Sequence, residues 1–378
     1  MTQALVNPAI LRWARERANQ TLDSLAAAMH VKFTQVAAWE DGLEHPTFKQ
    51  AQNWAMACHV PFGFLYLAQP PEDPLPIPDL RTIEGVPPTK PSIDLLDTIR
   101  DVLRKQDWYI DYLTDQGHRP LEFVGRFSLN SRSEDIAADI RHWLKVNPAP
   151  RKRTDDVYLT ELIAAAEAAG ISVMRSGMVN GNTHRKLDVA EFRGFAVSDK
   201  LAPVVFLNSA DAPAARVFTL LHELAHIWIG ISGISDTSVG NSRREEVLCN
   251  ATAGEFLVPR DEFVSRWNSH VFWEENLEPL ASTFNVSKLV IGRRAADLGL
   301  IDKKLYSDYY LAEWQKYRAR DKGEGGSYYA TAGAKNSKVI SRAVVAETLS
   351  GRILLREAGK LLGIQPSKIK KYATTLGL

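Results

Sequence analysis

The 378-residue chain has few cysteines, almost no excess of charge and no long apolar run, and each shortage excludes a class of protein. Two cysteines are too few for the disulfide framework of a small secreted protein. No stretch of about 18 apolar residues is present, which excludes a membrane-spanning helix. The start, Met1 to Ala4, lacks the basic and apolar regions of a signal peptide. We therefore expect a cytoplasmic protein with no membrane partner.

The net charge of +1 conceals an uneven distribution of charge along the chain. Residues 315–378 contain 13 Lys and Arg against 4 Asp and Glu, a net charge of +9, which leaves −8 for the other 314 residues. A basic helical tail is typical of a positively charged surface that binds nucleic acid. A solvated face or an acidic protein partner explains the same charge equally well. Composition alone leaves the partner of this region open.

The run His222-Glu223-Leu224-Ala225-His226 is the motif that carries chemistry. Its flanking residues are mostly apolar and free of Pro and Gly, which favours a helix with both imidazoles on one face. Two neutral imidazoles bind a divalent metal, and the adjacent carboxylate can take a proton from water. The motif predicts His222 and His226 as ligands and Glu223 as general base. The alternative is a chance pair of histidines on a helix.

A third ligand is expected on a second helix, because a catalytic zinc site uses three protein ligands and one open position. Residues 243–258 are predicted to form this helix, which a proline ends. Glu246 and Asn250 share one face, whereas Glu245 lies about 100° away on the helix wheel, and a glutamate on this facing helix would complete a His-His-Glu set. Cys249 could bind as a thiolate, although a lone cysteine on an apolar helix is more often a small buried side chain. The expected cofactor is Zn²⁺, with Mn²⁺ or another divalent metal as the alternative.

These motifs belong to a longer pattern that resembles the ImmA/IrrE metallo-endopeptidases. The family's blocks occur in order, as EFRGFA at 191–196, VVFLN at 204–208, FTLLHELAH at 218–226, ExxCN at 246–250 and FLVP at 256–259. The resemblance implies a zincin-like, gluzincin-type domain in which His222, His226 and Glu246 hold the metal. Glu223 would then be the general base. It also implies a specific protein substrate, such as a repressor or the product of a neighbouring gene.

The first 68 residues carry a second pattern, in which short amphipathic segments alternate with turn residues. Leu25-Ala26, Trp39-Glu40-x-Gly42 and Pro46 resemble an Xre-type (Cro-repressor-like) helix-turn-helix. The resemblance implies an all-α domain at 1–68 that belongs to a family of transcription regulators.

DNA binding by this domain would depend on the helix that is predicted to begin at Thr34. Lys32, Thr34 and Gln35 stand at its start, where a recognition helix reaches base edges. Residues 1–70, however, contain five basic and five acidic side chains, and a neutral module gains little affinity from phosphates. Leu22 also replaces the Gln that family members usually carry, which removes a phosphate contact. The alternative is a scaffold that binds protein or forms a homodimer.

A proline-rich segment separates the two patterns, with eight prolines between Gln69 and Pro91. Such density forbids helix and favours extended, stiff backbone. Residues Pro78 to Thr82 resemble a stretch that related helix-turn-helix peptidases carry, so this part is expected to dock on a domain rather than swing freely.

The predicted fold class is α+β, mostly α. We expect a helix-turn-helix domain at 1–68, a linker at 69–91, a peptidase domain at 92–314 and a basic helical region at 315–378. Within the last two regions we predict helices at 92–117, 134–146 and 155–169 and strands at 171–174, 193–197 and 203–207. Helix-turn-helix-like patterns follow at 277–301 and 347–376.

Two weaker signals concern the substrate. The strand at 193–197 could be a sheet edge that holds an extended peptide, or an ordinary core strand. His184 could approach the site as a proton donor or oxyanion stabiliser, although its polar loop favours an exposed side chain.

The sequence thus predicts a zinc-dependent metallo-endopeptidase that cleaves a specific regulatory protein and is coupled to DNA or protein by a helix-turn-helix. The alternative is an antitoxin-like transcription regulator of a toxin–antitoxin or phage-defence locus, which binds a metal but has little or no protease activity.

Overall fold

The computed structural model describes residues 2–72, 74–80, 91–146, 154–235, 243–284, 286–319 and 328–378. The chain divides into two compact units, Met1–Pro76 with Lys90–Asp97 and Ile77–Thr89 with Thr98–Leu378. Within the described segments, every helix is too short or too polar to cross a lipid bilayer.

The first unit contains four short helices, followed by a 3₁₀ turn at Phe62–Tyr66. Polar residues start three of them, because the side chains of Asn7, Thr21 and Thr47 each accept a hydrogen bond from a backbone amide of the first turn. These caps fix the helix starts that the turn residues predict. The helices are α1 (Pro8–Arg17), α2 (Leu22–Met29), α3 (Phe33–Glu40) and α4 (Phe48–Ala57).

A small apolar core holds these helices together. Leu25 and Val36 are fully buried, and the rings of Trp39 and Trp54 meet edge to face with centroids 6.1 Å apart. Helix α3 begins at Phe33, one residue before the predicted Thr34. The assignment of this unit to the Xre-type helix-turn-helix stays a prediction.

The remaining elements form a mostly helical arrangement around a small sheet, which confirms the predicted α+β, mostly α, fold class. The strands are β1 (Ser172–Ser176), β2 (Gly194–Val197), β3 (Val204–Asn208) and β4 (Gly233–Ser235). The helices are α5 (Ile93–Asp115), α6 (Ser133–Leu144), α7 (Asp155–Ala168), α8 (Pro213–Ile229), α9 (Arg244–Leu257), α10 (Arg260–Arg266), α11 (Leu277–Phe284), α12 (Lys288–Asp297), α13 (Lys303–Ala319), α14 (Tyr328–Asn336), α15 (Lys338–Leu349), α16 (Leu355–Leu362) and α17 (Ile369–Leu376).

The sheet has the order β1-β3-β2-β4, with β1 and β3 parallel and the other two pairings antiparallel. The suggestion that residues 193–197 form a sheet edge is wrong, because β2 lies between β3 and β4. The sequence does not indicate β4, since a three-residue strand that begins with glycine has no periodicity to detect. A peptide substrate therefore cannot add to β2 as a further strand.

The outer side of β4 is paired with part of the proline-rich segment. Leu80 N donates to Ile234 O at 3.1 Å, and Ile234 N donates to Pro78 O at 3.0 Å. A Cβ atom on Gly233 would lie 2.3 Å from Leu80 Cδ1, so only glycine leaves room for this side chain. Residues 78–80 thus dock as expected for the stretch 78–82, while Arg81 and Thr82 lie outside the described residues. We call residues 77–80 the strap.

Helix α8 is the centre of the second unit. Fourteen of its 17 residues are buried, so it has no solvent-exposed face along most of its length. Trp228 near its end stacks on Phe123 at a centroid distance of 4.4 Å and donates from Nε1 to Asp139 at 2.9 Å. This packing holds the helix that carries the histidines in one position.

The basic C-terminal region forms packed helices rather than a free tail over the residues that are described. Glu167 of α7 accepts hydrogen bonds from the Ser337 hydroxyl and from Lys338 N, the latter at 2.8 Å. Arg352 forms an ion pair with Glu347 at 2.5 Å, so part of the positive charge is neutralised within the region. The net charge of +9 already includes Glu347, so this ion pair leaves the surplus of basic residues unchanged.

The fit between strap and β4 predicts a specific rescue. Gly233→Ala should lower the free energy of unfolding by about 1–3 kcal/mol, because its methyl group displaces Leu80. Leu80→Ala alone should cost about 2–4 kcal/mol, because it removes a buried side chain. The double variant should lose less than the sum of the two, because the smaller side chain makes room. Urea denaturation measures all three, and strictly additive losses would contradict the contact.

Candidate metal centre

Helices α8 and α9 bring three donor side chains together. His222 Nε2 lies 3.1 Å from His226 Nε2 and 3.3 Å from Glu246 Oε2, and His226 Nε2 lies 3.0 Å from Glu246 Oε1. All three side chains are fully buried. Among the described residues, these form the group of His, Cys, Asp and Glu side chains that could hold a metal ion. The i, i+4 spacing on α8 and the facing position on α9 produce this geometry.

The protonation states suit a divalent metal. Burial lowers the pKa of His226, which keeps the imidazole neutral. Burial acts to raise the pKa of Glu246, but the two histidines outweigh it and lower that pKa to about 2. Two imidazole nitrogens and a carboxylate are a donor set that zinc prefers, and metals bind the deprotonated forms. His222, His226 and Glu246 are therefore suited to bind a divalent metal ion.

Asn250 orients one of the histidines. His222 donates from Nδ1 to Asn250 Oδ1 at 2.9 Å, which leaves Nε2 without a proton and directed at the donor set. Such a second contact fixes the tautomer and ring orientation of a metal-binding histidine. The i, i+4 spacing from Glu246 places Asn250 on the same face of α9.

Glu223 occupies a fully buried position beside the donor set. Neither of its carboxylate oxygens has a hydrogen-bond partner among the described residues. Burial, followed by the nearby Glu246, raises its pKa well above the usual value. An unpaired carboxylate in an apolar place is costly to keep and is typical of a functional group.

Two residues of the site were missed by the sequence analysis. A Cβ atom on Gly194 of β2 would lie 2.9 Å from Glu223 Oε1, so glycine is needed for the carboxylate to approach the sheet. Ser235 of β4 places its hydroxyl 3.3 Å from His226 Nε2 and 3.5 Å from Glu246 Oε1. Gly194 stands in a recognised block, whereas a serine at the end of an undetected strand gives no signal.

Other predicted positions lie where the sequence analysis expected them. Glu245 is half-buried and outside the donor set, in contrast to the buried Glu246. Cys249 is a free, buried cysteine, and burial raises the pKa of its thiol well above the usual value. His184 is exposed in its loop. The choice of Glu246 over Glu245 thus agrees with the geometry of α9.

The three residues predicted to contact DNA stand at the start of α3. Lys32 and Thr34 are exposed, and the Gln35 side chain accepts a hydrogen bond from Lys32 N at 3.3 Å. This bond uses the Gln35 amide oxygen to cap the helix. DNA contact by these residues stays a prediction.

A buried pair of helices with two histidines and a glutamate, next to an unpaired carboxylate, is typical of metal-dependent hydrolases. Residues 166–296 match the family model of the IrrE N-terminal-like domain, a peptidase family designated M78. Residues 336–375 match a domain of unknown function (DUF8813). No curated protein and no solved structure matches this chain. The resemblance to the ImmA/IrrE family is therefore confirmed for the metallopeptidase-like domain that contains the site.

The geometry predicts which carboxylate the metal needs. The purified protein should contain about one zinc-like ion per chain, because the donor set is complete. Glu246→Ala should lose this ion, because it removes one of three ligands, whereas Glu245→Ala should keep it. Elemental analysis of the dialysed proteins measures both. If Glu245→Ala is the variant without metal, the ligand assignment is wrong.

Asn250 should tune the affinity for the metal without being a ligand. Asn250→Ala should weaken metal binding roughly 10- to 100-fold, because His222 loses the partner that orients it. Thr252→Val on the same helix is the control, since its buried hydroxyl contacts none of the donor atoms. Competition with a chelator of known affinity gives both constants. Equal affinities for the two variants would show that Asn250 does not orient the ring.

Proposed function

We propose that the protein is a metal-dependent endopeptidase whose ligands are His222, His226 and Glu246. The observation that carries the proposal is the carboxylate of Glu223, which is fully buried and unpaired beside the donor set. A structural ion pair would not leave a carboxylate without a partner, because the cost of burial would be uncompensated. A general base needs carboxylate oxygens that are not already engaged in hydrogen bonds, so that they can accept a proton.

When bound, the metal would polarise the scissile carbonyl and make a water molecule more acidic. Zn²⁺ suits this donor set, and Mn²⁺ is the alternative. Glu223 takes the proton from the attacking water and delivers it to the leaving nitrogen. Its raised pKa makes it a stronger base than an exposed glutamate. The Ser235 hydroxyl lies close enough to His226 Nε2 to donate a hydrogen bond to the carbonyl oxygen of a substrate bound there.

We further propose that the substrate is one specific regulatory protein, such as a repressor or the product of a neighbouring gene. The match to the IrrE N-terminal-like domain supports this proposal.

The first unit would deliver the peptidase to its target by binding DNA or protein, and its electrostatics support protein. Arg12 pairs with Asp41 at 2.9 Å, and Arg15 pairs with Glu40 at 2.7 Å. Both guanidinium groups are therefore neutralised within the unit. Phosphate binding depends on positive charge that is free to replace counterions.

One substitution separates the chemistry from the fold. Glu223→Gln should retain the metal and the melting temperature, because Glu223 is not a ligand, but should abolish cleavage, because an amide cannot accept the proton. The measurement is mass spectrometry of the neighbouring gene's product after co-expression with parent or variant.

Cleavage by the parent and not by the variant would establish the peptidase. Cleavage by both would exclude Glu223 as the base. An intact product with both proteins, together with a full complement of metal, would instead favour the antitoxin-like regulator.

A further inference from the structure

A cavity of about 240 Å³ lies between the first turns of α8 and helices α12 and α13. Its lining includes Phe218 of α8, Val290 and Arg293 of α12, and Tyr310 of α13. The cavity is partly open to solvent, so a side chain of another molecule can enter it. A hollow lined mainly by apolar and aromatic side chains is typical of a binding pocket.

The position of the cavity connects it with the metal centre. Phe218 stands one turn before His222 on the same face of α8, which corresponds to about 6 Å along the helix axis. Arg193, which also lines the cavity, directly precedes Gly194, the residue against which Glu223 packs. Successive residues of an extended peptide are about 3.3 Å apart. A side chain within two residues of the bond held at the metal centre can therefore reach the cavity.

The lining is mostly apolar, and it is electrically neutral although it contains two arginines. Arg193 pairs with Asp211 at 3.0 Å and lies over the Tyr310 ring, 4.7 Å from its centroid. Arg293 pairs with Asp297 at 2.9 Å and lies over the Phe218 ring at 4.9 Å. Each guanidinium group is thus neutralised by its own carboxylate. The cavity offers flat apolar surfaces and no net charge that would demand an anion.

The volume restricts the occupant further. Sites for drug-sized ligands measure about 300–1,000 Å³, so this cavity is too small for a typical cofactor. It is large enough for one bulky side chain. We propose that the cavity is a specificity pocket that binds a large apolar or aromatic side chain of the peptide substrate, next to the scissile bond. This inference rests on the proposed peptidase function and names the class of substrate that it takes.

Filling the pocket provides the test. Ala215, the third residue of α8, lines the cavity, so Ala215→Trp should occupy it without touching a metal ligand. Ala164→Trp is the matched control, because this helical alanine lines a different cavity. Phe218→Ala, which enlarges the pocket, is a second variant in case the first does not fold. Metal content and melting temperature identify the variants that are intact.

The first readout is cleavage of a randomised peptide library, with the cut positions read by mass spectrometry. The parent and Ala164→Trp should prefer a Phe, Tyr, Leu or Met beside the cut bond, by roughly tenfold or more over Ala. Ala215→Trp should lose this preference, and Phe218→Ala should extend it to Trp. A cleavage profile that Ala215→Trp leaves unchanged would overturn the proposal.

The second readout is binding without turnover, in the Glu223→Gln background. N-acetyl-phenylalaninamide should bind at least about tenfold more tightly than N-acetylalaninamide, and the additional Ala215→Trp substitution should abolish the difference. If no protein cleaves either the library or the neighbouring gene's product but this discrimination is present, the peptidase function fails and the pocket stands as an apolar binding site. If peptides are cleaved and neither amide is preferred, the function stands and the pocket proposal fails.

Discussion

Four buried ionisable side chains lie side by side, and the second unit is organised around the cost of this burial. Isolated charges in such a place cost several kcal/mol each unless they are paired. His222 and His226 compensate Glu246, whereas only Ser235 acts to lower the pKa of Glu223, and burial outweighs it. The apolar packing along the rest of α8 must offset this cost. Stability and chemistry are thus in direct competition along a single helix.

Close approach of backbone and side chain is the second constraint. Gly194 lets the Glu223 carboxylate lie against β2, and Gly233 lets Leu80 lie against β4. A methyl group at either position would separate a sheet strand from the element that covers it. The two glycines therefore determine the distance from the sheet to helix α8 and from the sheet to the strap.

Local patterns made α8 and α9 predictable from the sequence. The i, i+4 spacing of His222 and His226 on α8, and of Glu246 and Asn250 on α9, places each pair on one face of its helix. Residues that end helices then mark where α8 and α9 stop. Strand order was not predictable, because the pairing of β2 with β4 joins distant segments and leaves no local signal. Ser235 was missed for the same reason. The pairing of Arg12 and Arg15 with acidic side chains in the first unit is likewise a result of tertiary contacts that composition cannot show.

The strap determines where the chain can be divided into fragments. Residues Ile77 to Leu80 lie within the proline-rich stretch, yet Leu80 and Pro78 complete the backbone bonding of β4. A fragment that began at the long helix α5 would expose this strand edge, and unpaired edges recruit other chains. Exchange of the N-terminal unit between related proteins, by recombination or by engineering, therefore needs a joint before Ile77, and the first turn of α5, which belongs to that unit, has to match it. The proline-rich stretch as a whole is therefore not the boundary at which this chain can be divided.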